Sequence, residues 1–320
     1  MAHAIADPGR PDLAAFVSRV KGHDFASHSD LELRERVAHL QAASRTGGDK
    51  DLPSEVFAIV NEAVKRRLGA WGFFEFDETD QVAGGGLAKY RELALGTSPR
   101  AQSQDGDIDF AGDISATSLN AAEQALVDGI ALVTERGRVD CWSDILLGAD
   151  FYEALLEADA EGLYRFVPTD EQLTAGHLLY QGNIVEMDSG EGKTVAAAFP
   201  AALHAIRGST VHIITSNDYL AARDAELLAP VFESLGLTVG FSVGYMSDDE
   251  RKHAYRQDIV YGTLREFAFD YLRDNLRLPG DVPVQGPLEA VILDEADNAL
   301  IDQAATPLII SGEPTGNRRG

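Results

Sequence analysis

Hydrophobic and polar positions divide this chain into two textures. Up to about residue 166 the apolar residues recur at helical spacing. Asp30-Leu31-Glu32-Leu33-Arg34-Glu35-Arg36-Val37 runs on to Leu40, and a second run starts near Pro53 and continues through Val56, Ile59, Val60 and Val64, both with charges on their other faces. Helical spacing returns at Ala121 to Glu135, stopped by Gly137, and again at Phe151 to Leu163. Between these, Trp71 to about Asn120 breaks into Gly84-Gly85-Gly86, a polar stretch from Ser98 to Gly106 and scattered Asp, the pattern of a loop or weakly ordered insert.

After Thr169 short apolar runs alternate with amphipathic ones. Candidate strands are Asn183 to Met187, Val211 to Thr215, Thr238 to Val243, Asp258 to Tyr261 and Ala290 to Leu293, with helices beginning near Lys193, Asp218, Asp248 and Leu264. Strands alternating with helices predict an α/β fold with a parallel sheet covered on both faces, preceded by a mainly helical N-terminal region. Ligands in such sheets bind at the carboxyl ends of the strands.

Composition narrows the classes of function. The 320 residues suffice for one large domain or two ordinary ones, and a 45% hydrophobic content is normal for a buried core. A formal net charge of -25 repels phosphate backbones, which argues against a broad nucleic-acid footprint. Much of the charge lies between Ala70 and Phe166, where acidic residues outnumber Lys and Arg by roughly three to one, as in a solvated acidic insert or a partner surface. Cys141 is the single cysteine, Met1 to Pro11 has no basic start followed by an apolar run, and Val195 to Ile206 is too short to span a membrane. The expectation is a soluble cytoplasmic protein that reaches the inner face of the plasma membrane through a partner.

The candidate chemistry sits in two places. Ile184-Val185-Glu186-Met187 reads as a strand, followed by Asp188-Ser189-Gly190-Glu191-Gly192-Lys193-Thr194 and an Ala-rich helix. Glycines let backbone amides turn toward phosphates, and the helix N-terminus adds partial positive charge. Lys193 would reach the β- and γ-phosphates and Thr194 would ligate magnesium. The usual phosphate-loop pattern has a glycine where Met187 stands, and a bare Gly-x-Gly-Lys-Thr string also occurs as a helix cap. About 100 residues further on, Val291-Ile292-Leu293 runs into Asp294-Glu295-Ala296-Asp297. Two carboxylates after an apolar strand suit magnesium-assisted hydrolysis, Asp294 holding the ion and Glu295 orienting the attacking water. An acidic helix N-terminus gives the same string.

Gln172 has two readings. Thr169-Asp170-Glu171-Gln172 fits a capping box, in which Gln172 bonds back to the backbone of Thr169. A glutamine upstream of the phosphate loop also suits the adenine edge.

Together these residues form ordered blocks that resemble the motor of the SecA preprotein translocase family. The blocks are Gln172-Leu173 with Gly176, Ile184 to Thr194, Val211-His212-Ile213-Ile214-Thr215 with Asn217-Asp218-Tyr219-Leu220-Ala221, and Arg223-Asp224-Ala225-Glu226. Tyr261-Gly262-Thr263 with Glu266-Phe267, Phe269 to Asn275, and Thr306 to Gly312 continue the series, which covers nearly all of 172–312. More faintly, Ser29 to Gly69 is similar to the family's N-terminal helices. The resemblance implies a RecA-like P-loop NTPase domain over 167–312 and N-terminal helices over 1–69; between them an acidic, mainly helical insertion with loop over 70–166 has no counterpart in the family, and 313–320 is a tail. It also implies ATP and Mg2+ as cofactors, with Gln172 on adenine, Asp188 to Thr194 around the phosphates, Thr194 and Asp294 on the metal and Glu295 as the catalytic carboxylate.

For the whole family the resemblance implies ATP-driven export of preproteins through the SecYEG channel. Departures thin the polar contacts: Val167 and Thr169 stand where the family has arginine and phenylalanine, Leu264 and Arg265 where it has two asparagines, and Gln303-Ala304-Ala305 where it has Glu-Ala-Arg. A second RecA-like domain, whose arginine is worth on the order of a thousandfold in rate, is expected to be lacking because the chain ends at Gly320. The leading expectation is an ATP-binding motor domain weakly active alone, with a full-length SecA or a chain carrying the second motor half as further partners. The alternatives are a non-enzymatic interaction module docking on Sec components and, remotely, a DEAD-type nucleic-acid helicase.

Overall fold

The computed structural model describes residues 3–4, 13–45, 51–69, 93, 119–136, 145–158, 166–277 and 282–309. They fall into two units, Met1–Arg207 with Ala229–Leu237, and Gly208–Leu228 with Thr238–Gly320. Nearly all of the stretch expected to be loop, the end of the helix expected to reach Leu163, and the 313–320 tail lie outside the described residues.

The first unit is mainly helical. Its N-terminal helices are α1 (Leu13–Gly22), α2 (Asp30–Ser44) and α3 (Leu52–Val64), the last running into a π-helical turn at Lys65–Gly69. Ser29 starts α2 through a capping box, its hydroxyl accepting from Glu32 N at 3.1 Å while Glu32 accepts from Ser29 N at 2.7 Å. Helix α3 buries Val56, Phe57, Ile59, Val60 and Val64, apolar around most of its circumference, as a helix enclosed by others must be. Phe16 of α1 meets Phe57 edge to face at 5.2 Å, an aromatic contact in the middle of this core.

Helices α4 (Ala121–Arg136) and α5 (Ala149–Ala158) follow. They close their own apolar cluster of Leu126, Ile130, Ile145, Leu147, Phe151 and Leu155. A buried ionic network ties this cluster to α2 and α3. Asp30 accepts from Arg66 Nη1 and Arg67 Nη2, each at 3.0 Å, and from Leu147 N and Tyr152 Oη, each at 2.9 Å. Arg66 also bonds Glu62 at 2.9 Å and lies 3.5 Å from the centroid of the Tyr152 ring. Each buried charge therefore has charged and hydrogen-bonded partners, the condition under which burying it is tolerable.

Helices α6 (Asp170–Tyr180) and α7 (Lys193–Ile206) complete the unit's core. A Cβ on Gly176 would stand 2.9 Å from the Ala196 carbonyl oxygen, so the close approach of α6 to α7 needs a glycine there. The strand expected at Asn183 to Met187 narrows to β2 (Val185–Glu186) and pairs antiparallel with β1 (His3–Ala4). Two interactions shorten it. Asn183 is held by the end of α6, its backbone and side-chain amides both donating to Leu178 O, and Met187 packs into a cluster with Ala175 and Ala196.

The second unit is the α/β layer the alternation predicts. Strands β3 (Val211–Thr215), β4 (Val239–Ser242), β5 (Ile259–Thr263) and β6 (Ala290–Leu293) form a fully parallel sheet in the order β4-β5-β3-β6. Every residue of β3 and β5 is buried, as expected for inner strands with both faces covered. Between them run α8 (Asp218–Ser234), α9 (Asp248–Ala254) and α10 (Leu264–Asn275). Arg251 of α9 binds Glu266 and Asp270 of α10 at 3.0 Å and the carbonyls of Gly244 and Met246, which fixes the loop after β4. Among the described residues no helix is long and apolar enough to cross a membrane.

Candidate functional site

The glycine-rich loop lies in the first unit. Met187, buried beneath it, precedes Asp188, Ser189 and Gly190, all three exposed. Gly190 and Gly192 adopt φ of 87° and 77°, the left-handed region open to glycine at little cost. Gly192 is the N-cap of α7 with no side-chain cap hydrogen bond, and Val195 N and Ala196 N both donate to its carbonyl. Lys193 is exposed and Thr194 half-buried on the first turn, where no acidic side chain opposes a phosphate.

Gln172 is built into the same loop. Its Oε1 accepts from Thr169 N at 3.0 Å and its Nε2 donates to the Glu191 carbonyl at 2.8 Å, while Gln172 N donates to Thr169 Oγ1 at 3.3 Å. The capping box is therefore real, and the same side chain also braces the glycine-rich loop. A Cβ on Gly192 would come within 2.3 Å of Nε2, so the brace and the glycine require one another.

The carboxylate pair lies in the second unit, at the carboxyl end of β6. Asp294 N donates to Ile214 O at 2.8 Å, extending the sheet by one residue past Leu293, and Asp294 Oδ1 accepts from Glu295 N at 3.1 Å. Glu295 is exposed and has φ of 55°, the one non-glycine residue with positive φ among the described residues. Such a conformation costs on the order of 1–2 kcal/mol for a residue with a Cβ. Strain of this kind gathers at functional positions.

The described residues include no group of three or more His, Cys, Asp or Glu able to hold a metal ion.

The structure thus brings Gln172, Glu191, Gly192 and the start of α7 together, and sets Asp294 beside Glu295 at a strand end. Sequence reading gave no role to two buried hydroxyls of the same sheet, Tyr261 Oη on β5 and Thr215 Oγ1 on β3. Neither has a hydrogen-bond partner among the described residues. Nothing in a strand sequence marks a hydroxyl that lacks a partner, so no signal could have found them.

A family model described as the SecA DEAD-like domain matches residues 117–319, more than half of the chain. This chain belongs to the SecA DEAD-like family. The match begins at 117 and so takes in α4 and α5 as well as the α/β layer. Similar curated proteins carry the name protein translocase subunit SecA. The one from Rubrobacter xylanophilus is 45% identical over 202 residues, which is 61% of this chain and 22% of the relative. Those from Syntrophomonas wolfei and Coxiella burnetii are each 55% identical over 144 residues, 45% of this chain and 17% and 16% of the relatives. The SecA DEAD-like chain therefore spans less than a quarter of the length of these relatives.

Proposed function

We propose that this chain binds ATP with a magnesium ion and acts as the nucleotide-binding part of a SecA-type protein-translocating motor. The observation that carries the reading is the loop 188–194, with two left-handed glycines, an uncapped helix start and Gln172 braced against its back. In this reading backbone amides at the start of α7 and Lys193 bind the β- and γ-phosphates, and Gln172 orders the loop beside the adenine. Thr194 and Asp294 hold the magnesium, which when bound supplies charge neutralisation on the phosphates. Glu295 orients the water that attacks the γ-phosphate.

The borders of the motor parts belong to the same proposal: N-terminal helices over 1–69, the acidic insertion over 70–166, the nucleotide-binding domain over 167–312 and the tail over 313–320. Residues 70–116 are then the part of the insertion outside the family match. Preproteins and the SecYEG channel at the inner face of the plasma membrane are the proposed partners of the assembled motor. A full-length SecA or a chain carrying the second motor half is the proposed route to full turnover.

Phosphate release from ATP tests this reading. Slow turnover by the wild type, abolished in Glu295→Gln and raised by adding a chain that carries the second motor half, is expected. Turnover that is unchanged in Glu295→Gln contradicts the assignment of the carboxylate.

A further inference from the structure

One face of the sheet in the second unit is only partly covered. Register sets His212 on β3 opposite Val260 on β5 and Val291 on β6, and Ile214, two residues along, lies on the same face. Helix α10 covers this face over β5, where its Phe267 shares an apolar cluster with Val260 and Ile214. The edge strand β6 stays open, and Val291 is 59% exposed. A groove of about 410 Å3 results, lined by His212 and Ile214 of β3, Phe267 and Tyr271 of α10, and Leu288 and Val291 before and on β6. Its size and largely apolar lining are those of a small-molecule site, typically about 300–1,000 Å3.

The lining also holds an unsatisfied polar atom. His212 is 3% exposed, and its Nε2 has no hydrogen-bond partner among the described residues. Phe267 packs edge to face on the imidazole, the ring centroids 5.1 Å apart, which holds the ring in place. Native structures seldom leave a buried polar atom bare, so its persistence calls for an explanation. Two polar neighbours in the lining are engaged: Gln285 Nε2 donates to Phe267 O at 2.8 Å, and Glu289 Oε2 accepts from Thr210 N at 2.8 Å. Burial lowers the pKa of His212 below 6.5, so the ring is neutral at pH 7 and Nε2 either donates or accepts. A hydroxyl does both and matches either form.

We propose that this groove binds a small neutral aromatic molecule carrying one hydroxyl, a phenol or naphthol, with its ring against Phe267 and Tyr271 and its hydroxyl on His212 Nε2. An aromatic ring suits walls that are themselves aromatic. A charged molecule does not, because an apolar lining leaves its charge unpaired, and the net charge of -25 repels an anion. The inference stands apart from the readings of the loop 188–194 and of Asp294.

2-Naphthol and naphthalene differ by the hydroxyl alone, and their binding to the full chain is measured by equilibrium dialysis, with folding checked by thermal melting. The wild type is expected to bind 2-naphthol saturably, one to one, and about tenfold more tightly than naphthalene. His212→Phe keeps a ring in the wall and removes the nitrogen, so it should abolish that preference while leaving naphthalene affinity unchanged. Ala268→Trp, which fills the groove from α10, should lose both compounds; this variant and the wild-type preference decide the matter if His212→Phe does not fold. No saturable binding by the wild type, equal affinity for the two compounds, or a preference that survives in folded His212→Phe overturns the inference. So does undiminished binding by Ala268→Trp. Tighter binding of N-acetyltyrosinamide than of 2-naphthol also overturns it, since the groove would then take a peptide side chain instead of a small molecule.

Discussion

Gln172 and Gly192 fit together as a brace and a gap: the side-chain amide of Gln172 reaches the Glu191 carbonyl through the space a Cβ on Gly192 would fill. One residue therefore helps to cap α6 and holds the glycine-rich loop in shape. Gly192→Ala should cost about 1–2 kcal/mol from the left-handed backbone alone, and more from the clash, with a matching loss of nucleotide affinity. Gln172→Ala should lose about 1 kcal/mol of capping and also loosen the loop. In the double variant the clash has no partner, so the two losses should add to less than their sum in a urea-unfolding cycle. Strict additivity would show that the contact is not made.

The left-handed conformation of Glu295 predicts a trade between stability and activity. Glu295→Gly should relieve backbone strain and stabilise the second unit by up to about 1 kcal/mol, read as a higher melting temperature. The same substitution removes the carboxylate and should abolish turnover. A Glu295→Gly chain less stable than wild type would mean that the φ of 55° carries no strain.

Elements far apart in sequence meet at Asp30. Asp30→Ala leaves Arg66 and Arg67 in a buried site without their shared carboxylate and should destabilise the first unit by about 3–5 kcal/mol. It should also expose residues 145–158 to limited proteolysis, because Leu147 and Tyr152 lose their acceptor. Lys21→Ala breaks an ion pair with Asp170 in which both side chains are more than half exposed. It should change stability by less than about 1 kcal/mol. Comparable losses in the two variants would contradict the burial argument.

Acid should weaken the first unit through His177. Burial, with Arg19 adding to it, lowers its pKa from 6.5 to about 4, and its ring stacks on Phe16 at 3.6 Å. The unfolded chain takes up this proton near pH 6.5 and the folded chain only near 4. Stability is therefore full above that window and lost as pH falls through it, by at most about 3 kcal/mol. Melting temperature measured from pH 7.5 downward should fall more steeply in wild type than in His177→Phe. Some slope should remain, since burial also lowers the pKa of His204 and His212. Equal slopes would remove His177 as the cause.

What was legible in the sequence followed the range of the interaction. Inner strands such as Val211–Thr215 read directly as apolar runs, and the box at Thr169 and Gln172 lies within four residues, so both could be foreseen. Helix Leu13–Gly22 was missed although Phe16, Val17 and Val20 mark a buried face, because ten residues give the period few repeats. The network on Asp30 joins residues 36, 37, 117 and 122 positions away, and no local pattern encodes such pairings. The acidic string at 294–297 was visible as chemistry, but its left-handed glutamate was not, since backbone sign follows from the surrounding fold. Likewise the antiparallel pairing of Val185–Glu186 with His3–Ala4 joins two very short segments with no periodicity to read.

Calorimetric titration of the full chain with ATP and magnesium tests the central claim most directly, with Lys193→Ala in parallel. The account predicts saturable one-to-one binding by the wild type, stronger with magnesium than in chelator, and a loss of at least tenfold in affinity, about 1.4 kcal/mol, in Lys193→Ala. No saturable heat in the wild type, or equal affinity in the variant, would contradict it.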